Sequence, residues 1–237
     1  RAKSEFLALA SHQLRTPLTI TSWYTEKLIT DNSMEGSQKE YLHELNKANQ
    51  RMIDLVNALL DVSRLETGTF AIDPAPLDLV AVAETVLREL SLQIETRKLS
   101  IYKNYDKNIG KVNSDERLLR IIFQNLLGNA VKYTDEGGSV TLMIQKQNSD
   151  ILIVVEDTGY GIPEQQQSKI FNKLFRADNA RERESDGSGL GLYIVKNIVD
   201  QVGGHIWIES KEGVGTKFYV SMPAKGMIKK VAKLVKG

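Results

Sequence analysis

The first 66 residues carry apolar positions at helical spacing and contain a single break, at residues 31–36. After the break, seven positions recur at alternating intervals of three and four, which is the spacing of a heptad seam. These seven are Leu42, Leu45, Asn49, Met52, Val56, Leu59 and Ser63. Before the break the stripe is rougher and consists of Phe6, Ala10, Pro17, Ile20, Tyr24 and Leu28. The pattern predicts a hairpin of two long helices, with a kink at Pro17.

One such hairpin cannot bury an apolar seam on each of its helices by itself. Self-association of two hairpins into a four-helix bundle solves this problem, and the pattern therefore predicts a homodimer. A hairpin that packs on the remainder of its own chain stays open as an alternative.

From residue 78 onward the pattern is mixed helix and strand. Helices are predicted at 78–97 with Asp78 as N-cap, from a cap at Ser114 or Asp115 to about 131, and at 189–202. Strands are predicted near 100–102 and 111–113, and at 140–147, 151–156, 205–210 and 216–221, with a loop-rich stretch at 157–188. Because the strands are joined partly as hairpins, we expect an α/β sandwich with helices on one face of a mixed sheet.

The domain boundaries follow from these changes of pattern. The helical hairpin takes residues 1–66, a stretch with turn residues at 67–77 is a linker, and the α/β domain takes residues 78–223. The last segment, 224–237, has lysines at 225, 229, 230, 233 and 236 and no acidic residue. We expect it to be a frayed, solvated tail, and an amphipathic helix for a membrane surface or a partner is the alternative.

Composition narrows the function classes. The 237 residues include no cysteine, which excludes disulfides, a thiolate nucleophile and a cysteine-ligated zinc site. The formal net charge of +1 gives no indication of a nucleic-acid partner. No run approaches the roughly 20 apolar residues of a membrane span. We expect a soluble, cytoplasmic fragment of a longer protein, and whether that parent protein is membrane-anchored stays open.

Four polar or aromatic residues of the second predicted α/β-domain helix lie on one of its faces, because their offsets are 4, 3 and 4. They are Asn125, Asn129, Lys132 and Tyr133. An amide oxygen is a suitable ligand for Mg²⁺, and a lysine suits a phosphate. The residues alone are equally consistent with an ordinary hydrated helix face.

Two glycine-containing turns carry further candidate chemistry. Asp157 follows a buried-looking strand and can accept a hydrogen bond from an exocyclic amine such as that of adenine, while Gly159 and Gly161 let the backbone turn sharply. The string at 187–191 opens an apolar helix, whose first N–H groups favour phosphate. Its GxGxG spacing matches neither the Rossmann nor the P-loop motif. A plain turn and a flexible hinge are the simpler interpretations of these two segments.

Taken in order, five segments resemble the nucleotide-binding motifs of sensor histidine kinases. They are 125–133 (NLLGNAVKY, the N box), 157–163 (DTGYGIP, the G1 box), 170–176 (IFNKLFR, the F box), 187–191 (GSGLG, the G2 box) and 213–216 (GVGT, a short glycine motif near the end). With the motif around residue 12 described below, the resemblance covers nearly the whole chain.

The resemblance implies a Bergerat-type ATP-binding fold with ATP and Mg²⁺ as ligands. It assigns Mg²⁺ chiefly to Asn129, with Asn125 beside it, and adenine recognition to Asp157. The residues expected to surround base and phosphates are Lys132, Tyr133, Gly159, Gly161, Arg176, Gly187, Gly189, Leu190, Gly191 and Thr216. Residues 172–186 resemble the mobile ATP lid, which we expect to order only when nucleotide binds.

Residues 11–19 (SHQLRTPLT) resemble the H box of the same family. The resemblance implies that His12 accepts the γ-phosphoryl group of ATP, in a dimerisation and phosphotransfer hairpin, and passes it to an aspartate of a response-regulator receiver domain. Thr16 lies one helical turn further along, on the face of His12.

Gln13 departs from the family pattern, in which an acidic residue follows the phosphoacceptor. An amide oxygen can fix the imidazole tautomer, but it carries no charge to stabilise an imidazolium. Gln13 with Thr16 could instead orient a water for removing phosphate from a partner aspartate. Gln13 therefore leaves open a phosphatase-biased variant or a non-catalytic ATP-binding scaffold. An ATPase or chaperone of the wider superfamily is a separate alternative, against which the H box and the F box argue.

Overall fold

The computed structural model describes residues 18–28, 30, 37–67, 71–184 and 187–230. These residues divide into two compact units, of which the first contains the N-terminal helices and the second begins at Ala71. Within the described ranges, no helix combines the length and the apolar character that a membrane span requires.

The first unit consists of two helices, α1 at residues 18–28 and α2 at Ser37–Thr67. The predicted break at 31–36 lies outside the described residues. Polar side chains mediate the contact between the helices: Ser22 Oγ and Thr25 Oγ1 each donate to Asn46 Oδ1 at 3.1 Å.

The heptad seam of α2 is divided between two environments. Its alternate members Asn49, Val56 and Ser63 are buried. The intervening members Leu45 and Met52 are 57% and 48% exposed. In a single hairpin, two of the seven seam residues therefore stay exposed to solvent.

The second unit is built on a five-stranded sheet with a separate two-stranded sheet beside it. The strands are β1 (Ala75–Leu77), β2 (Ser100–Tyr105), β3 (Val112–Ser114), β4 (Ser139–Gln147), β5 (Asp150–Asp157), β6 (His205–Lys211) and β7 (Gly215–Pro223). The large sheet has the order β2-β4-β5-β7-β6, in which only the β2–β4 pair is parallel. The small sheet pairs β1 with β3 in antiparallel fashion, so β1 belongs to the second unit although it lies in the predicted linker.

The described part of the second unit contains six helices, and those that pack on the large sheet cover one of its faces. The six are α3 (Leu79–Glu89), α4 (Ser91–Thr96), α5 (Glu116–Tyr133), α6 (Glu164–Gln167), α7 (Asp178–Arg183) and α8 (Gly191–Gln201). Helix α5 lies at the centre, where it packs on α3, α8 and strand β5. Its residues Phe123, Leu126 and Leu127 are fully buried, because the helix presents them to the inward-facing positions of the sheet.

The opposite face of the sheet carries no helix within the described residues. There Trp207 and Tyr219 stack with ring centroids 5.0 Å apart on neighbouring strands β6 and β7. Strand β7 alternates regularly between buried and half-buried positions, as expected for a sheet covered on one side. The second unit is thus a two-layer α/β sandwich, as the sequence pattern predicts.

The N-caps predicted for two helices are confirmed. Asp78 accepts from the N–H groups of Val80 and Ala81, and Asp115 accepts from that of Leu118. The prediction of one helix over 78–97 is wrong, because the chain forms α3 and then α4. The core contacts of α3 end at Leu87, and α4 has no buried residue, so packing does not hold the two in one straight helix.

The prediction of a frayed or helical tail is wrong for residues 224–230. Ile72 and Lys230 exchange two backbone hydrogen bonds of 2.9 Å, and Met227 donates its N–H to Asn113 O at 2.7 Å. Met227 is buried, and burial of its apolar side chain favours a packed segment over a solvated one. Residues 231–237 lie outside the described part.

Candidate nucleotide-binding site

The polar face of α5 is where the sequence places it. Asn125, Asn129, Lys132 and Tyr133 are all half-buried. The Asn125 Nδ2 donates to Ile121 O at 2.8 Å, which fixes the amide so that its oxygen is the available ligand atom. The Lys132 ammonium lies 5.5 Å from the centre of the Tyr133 ring. Burial raises the pKa of Tyr133, so its phenol is neutral.

Asp157, the last residue of β5, is buried and held by backbone groups. Its Oδ1 accepts from Gly159 N at 2.9 Å and from Thr216 N at 3.2 Å. No hydrogen bond from the described part of the chain reaches its Oδ2. Burial raises the pKa of Asp157 to about 6, although the two backbone hydrogen bonds favour its ionised form. The carboxylate is therefore oriented by one oxygen and offers the other as an acceptor.

The Asp157 turn contacts the end of α5 at a glycine. A Cβ built on Gly159 would lie 2.1 Å from Tyr133 O, a separation that real side chains essentially never adopt. The next residue, Tyr160, donates its N–H to the same carbonyl at 3.2 Å. The Tyr133 and Tyr160 rings meet edge to face with centroids 6.4 Å apart. Only glycine at 159 lets the carboxylate and the two aromatic rings come together.

The glycine string contacts the same helix about two turns closer to its N-terminus. A Cβ on Gly191 would lie 2.1 Å from Asn125 Oδ1. Gly191 is the first residue of α8, whose first-turn N–H groups have no partner within the helix. Leu190 is buried and fixes the start of α8, while Gly189 lies against the backbone of Leu174. Gly187, at the other end of the string, is exposed.

The remaining predicted residues lie around this centre. Gly161 lies against the Lys211 carbonyl in the β6–β7 turn, and Thr216 is buried beside Asp157. Arg176 donates to the carbonyls of Ala180, at 3.0 Å, and Glu184, so it lies at the C-terminal end of α7. The stretch 157–188, which the sequence predicts to be loop-rich, contains the two short helices α6 and α7. The prediction that the lid orders only with nucleotide stays a prediction.

Sequence reasoning missed Ser210, which links two parts of the site through three hydrogen-bond partners. Its Oγ accepts from Ile162 N at 2.9 Å, donates to Gly215 O at 3.0 Å and lies 2.9 Å from Thr216 Oγ1. The serine therefore joins the segment after Asp157 to the β6–β7 turn. Its partner in the Asp157 segment is 48 positions away along the chain, and no local pattern marks such a contact.

The predicted phosphoacceptor segment lies outside the described residues. His12, Gln13, Thr16 and Pro17 therefore stay as the sequence predicts them.

Two family models match the chain. The model described as the histidine kinase-, DNA gyrase B- and HSP90-like ATPase matches residues 114–226, which contain all five nucleotide motifs. The second unit is thus an ATPase domain of that type. The model described as the His Kinase A phospho-acceptor domain matches residues 2–68. The chain belongs to the histidine kinase family and contains the phosphoacceptor and ATPase domains of that family.

Relatives of known name agree with this assignment. The circadian input-output histidine kinase CikA of Synechococcus elongatus is 35% identical over 234 residues, which are 97% of this chain and 31% of CikA. The signal transduction histidine-protein kinase BarA of Escherichia coli is 33% identical over 225 residues, 92% of this chain and 24% of BarA. The chain thus spans less than a third of the length of either relative.

Solved structures confirm the fold class. Full-length ShkA, solved in complex with AMPPNP, superposes with a TM-score of 0.76 at 28% identity, over 97% of this chain and 47% of ShkA. ThkA, solved with the response regulator protein TrrA, superposes with a TM-score of 0.64 at 22% identity, over 93% of this chain and 61% of ThkA. The predicted arrangement of a helical region followed by a Bergerat-type α/β domain is therefore confirmed.

Proposed function

We propose that the chain binds ATP in the pocket formed by α5, the Asp157 turn and the glycine string, and that it transfers the γ-phosphoryl group to His12. The observation that carries this proposal is the convergence of three distant segments. Gly159 lies against the Tyr133 carbonyl, Gly191 lies against Asn125, and Asp157 binds the backbone of Thr216. Relatives at 33–35% identity that are named histidine kinases support the same reaction.

Each side of the pocket suits one part of ATP. The Asp157 Oδ2 is an acceptor for the exocyclic amine of adenine, and the Tyr133 and Tyr160 rings offer apolar surface to the base. The first-turn N–H groups of α8 suit the phosphate oxygens, since a helix N-terminus favours negative charge. ShkA was solved with AMPPNP, an ATP analogue, which supports ATP as the nucleotide that this domain binds.

The donor set at α5 fits a magnesium ion. The described residues contain no group of three histidine, cysteine or acidic side chains that could hold a metal by itself. Mg²⁺ commonly takes only one or two protein ligands and completes its shell with phosphates and water. Asn129, with Asn125 beside it, would supply such amide oxygens. The ion would neutralise charge on the phosphate oxygens during transfer.

The chemistry at His12 follows from the imidazole ring. One ring nitrogen attacks the γ-phosphorus, a new N–P bond forms, and the bond to the leaving ADP oxygen breaks. During the attack the other ring nitrogen donates its N–H to the Gln13 amide oxygen, which holds the ring in the attacking tautomer. Because an amide takes up no proton, this same N–H proton then leaves the phosphoimidazolium to solvent, and neutral phosphohistidine remains.

Labelling with [γ-³²P]ATP and Mg²⁺ tests this function. We expect label on the protein that is stable in alkali and lost in acid, as for a phosphoramidate, and that moves to a receiver domain on mixing. Gln13→Glu is expected to label faster, because a carboxylate stabilises the imidazolium. If neither protein takes up label while both bind ATP, the chain is a nucleotide-binding scaffold. Phosphate release without any protein-bound label would instead identify an ATPase.

We further propose that the first unit forms a homodimeric four-helix bundle and that a response-regulator receiver domain is its second partner. Leu45 and Met52 on α2, and Ile20, Tyr24 and Leu28 on α1, are exposed in the single hairpin. Their apolar surface supports a second copy as the occupant. The structural neighbour ThkA was solved with a response regulator protein. The boundaries at 66 and 223 are part of this proposal, and the ATPase domain begins before residue 78, because it includes β1.

Met52→Lys tests the dimer. A lysine at this seam position would place an ammonium group between the two copies, and we expect the dimer dissociation constant to rise at least about tenfold. Sedimentation equilibrium measures it. The matched control is His43→Lys, at an exposed α2 position off the seam, for which we expect no more than about a twofold change. An equal effect of both variants, or a monomeric wild type, would overturn this proposal.

A further inference from the structure

The lid helix α7 is attached to the ATPase domain at several points. At its start, the Gln166 amide donates to Asp178 Oδ2 at 2.5 Å and accepts from Asp178 N at 3.0 Å. In its first turn, Asn179 Nδ2 donates to Gly161 O at 3.0 Å, beside the proposed base pocket. The helix is therefore tied to the segment that carries Asp157 as well as to α6.

The C-terminal end of α7 lies against the aromatic residues of the site. The Arg183 guanidinium lies 4.4 Å from the centre of the Tyr160 ring, within the range of a cation–π contact. It also lies 3.7 Å from Asp135 Oδ2, in the loop after α5. Any movement of this end of α7 changes what the Tyr160 ring faces.

Arg97 contacts this end of α7, although it belongs to none of the five nucleotide motifs in the sequence. It follows α4, and its Nη2 donates to Glu184 Oε1 at 2.7 Å. Its Nη1 donates to Thr134 O at 3.2 Å, at the end of α5. The hydrogen bond with Glu184 raises the pKa of Arg97, and Tyr160 contributes in the same direction. Arg97 thus connects Glu184, the residue that follows the lid helix α7, with Thr134, the residue that follows the helix carrying Asn125 and Tyr133.

The Arg97–Glu184 ion pair is more buried than its neighbours on the surface. The Arg97 and Glu184 side chains are 33% and 20% exposed, whereas those of the adjacent pair Lys98–Glu136 are 74% and 62% exposed. Exposed pairs contribute little because water and salt screen them, and a partly buried pair with a second hydrogen bond contributes more.

We propose that Arg97 and Glu184 form a latch that positions α7 against Tyr160 and thereby sets how fast nucleotide leaves the pocket. The latch rests on the proposed function for its effect on ATP. The effect of the latch on the position of α7 is independent of the proposed function, because the contact joins two parts of the protein itself. Arg97 is a positioning residue, which acts on the nucleotide through the lid helix.

A double-mutant cycle tests the latch in the full chain. The variants are Arg97→Gln, Glu184→Gln and the double variant, and the first readout is the dissociation rate of mant-ATP, displaced by excess ATP in a stopped-flow instrument. We expect each single variant to dissociate about five to ten times faster. The double variant should match the single variants, since one contact is lost in all three. Unchanged rates, or a double effect equal to the product of the single effects, would overturn the latch.

A second readout needs no nucleotide. Trypsin cuts after Arg181 and Arg183 in α7, and loss of the latch should speed these cuts by a similar factor. The matched control is the exposed pair, as Lys98→Gln and Glu136→Gln, for which we expect both readouts to stay within about twofold of wild type. If wild type fails to bind mant-ATP, the proposed function fails, and the trypsin cycle alone decides the latch. Equal cleavage of latch and control variants would then refute it.

Discussion

Asp157→Asn is expected to weaken ATP binding at least about a hundredfold. The two backbone N–H groups that now bind Oδ1 would hold the amide oxygen, so the amide nitrogen would take the place of Oδ2. A donor would then face the donating amine of adenine, and the charge-assisted hydrogen bond would be lost. Isothermal titration with Mg²⁺ and ATP measures the affinity.

The matched control for this variant is Asp150→Asn, at the other end of strand β5. Its carboxylate accepts from Ser221 Oγ at 2.9 Å, away from the glycine turns. We expect its ATP affinity to stay within about twofold of wild type. If Asp157→Asn bound ATP within threefold of wild type, the base pocket would be elsewhere.

The same variant is expected to be more stable than wild type at neutral pH. The folded pKa of Asp157, about 6, is raised above the ordinary value of 3.8. Between these values the folded protein holds a proton that the unfolded chain has released, so wild type loses stability as pH rises through this window. Asparagine has no such cost. The free energy of unfolding of Asp157→Asn should exceed that of wild type by almost nothing at pH 4 and by at most about 3 kcal/mol above pH 6.

Urea unfolding at several pH values measures whether Asp157→Asn is more or less stable than wild type. The chain has two tryptophans, and a Trp23→Phe background leaves Trp207 on the sheet as the only tryptophan whose fluorescence reports unfolding. If the difference in the free energy of unfolding between Asp157→Asn and its background stayed constant across pH 4–7.5, burial would not destabilise the ionised carboxylate. A variant less stable than the background at pH 7 would contradict the account as well.

Gly159→Ala is expected to lower both stability and ATP affinity. The new Cβ would lie 2.1 Å from Tyr133 O and 2.7 Å from Tyr133 C, and these are backbone atoms that cannot rotate away. The Asp157 turn must therefore separate from the end of α5. We expect a loss of about 1–3 kcal/mol in the free energy of unfolding and at least about a tenfold loss of affinity.

Gly128→Ala is the matched control, at a glycine of the 125–133 motif rather than of the Asp157 turn. Gly128 lies in α5, and a Cβ there meets nothing within 4 Å. Alanine in a helix interior is favoured over glycine, so we expect a gain of about 0.5–1 kcal/mol with ATP affinity unchanged. Wild-type binding by Gly159→Ala would show that the site does not depend on this close approach. Urea unfolding and titration of both variants decide the matter.

The sequence predicts most helices and strands of the α/β domain because their apolar residues follow the periods of helix and strand. The caps at Asp78 and Asp115 were also predictable, since capping is a local contact. The split between α3 and α4 and the packed tail were not predictable in this way. The fold of residues 224–230 depends on contacts with Ile72 and Asn113, more than 100 positions earlier.

The candidate site shows the same division. Asp157, Asn125 and the glycines stand in short motifs, so the sequence can name them. Ser210 and the Arg97–Glu184 pair stand in no motif, and the two members of that pair are 87 positions apart. Their contacts arise only when the sheet brings the β6–β7 turn and the lid to the end of α5. The glycine contacts can be predicted only in part from the sequence, because the motif identifies the glycine but not the atom that it approaches.

The most direct measurement of the central claim is the location of the phosphoryl group. Wild type and His12→Ala are incubated with [γ-³²P]ATP and Mg²⁺, and ATP affinity is measured in parallel. We predict that wild type carries its label on His12 and that His12→Ala binds ATP within about twofold of wild type but takes up none. Label of equal intensity on His12→Ala, or wild-type label on another residue, would contradict the account.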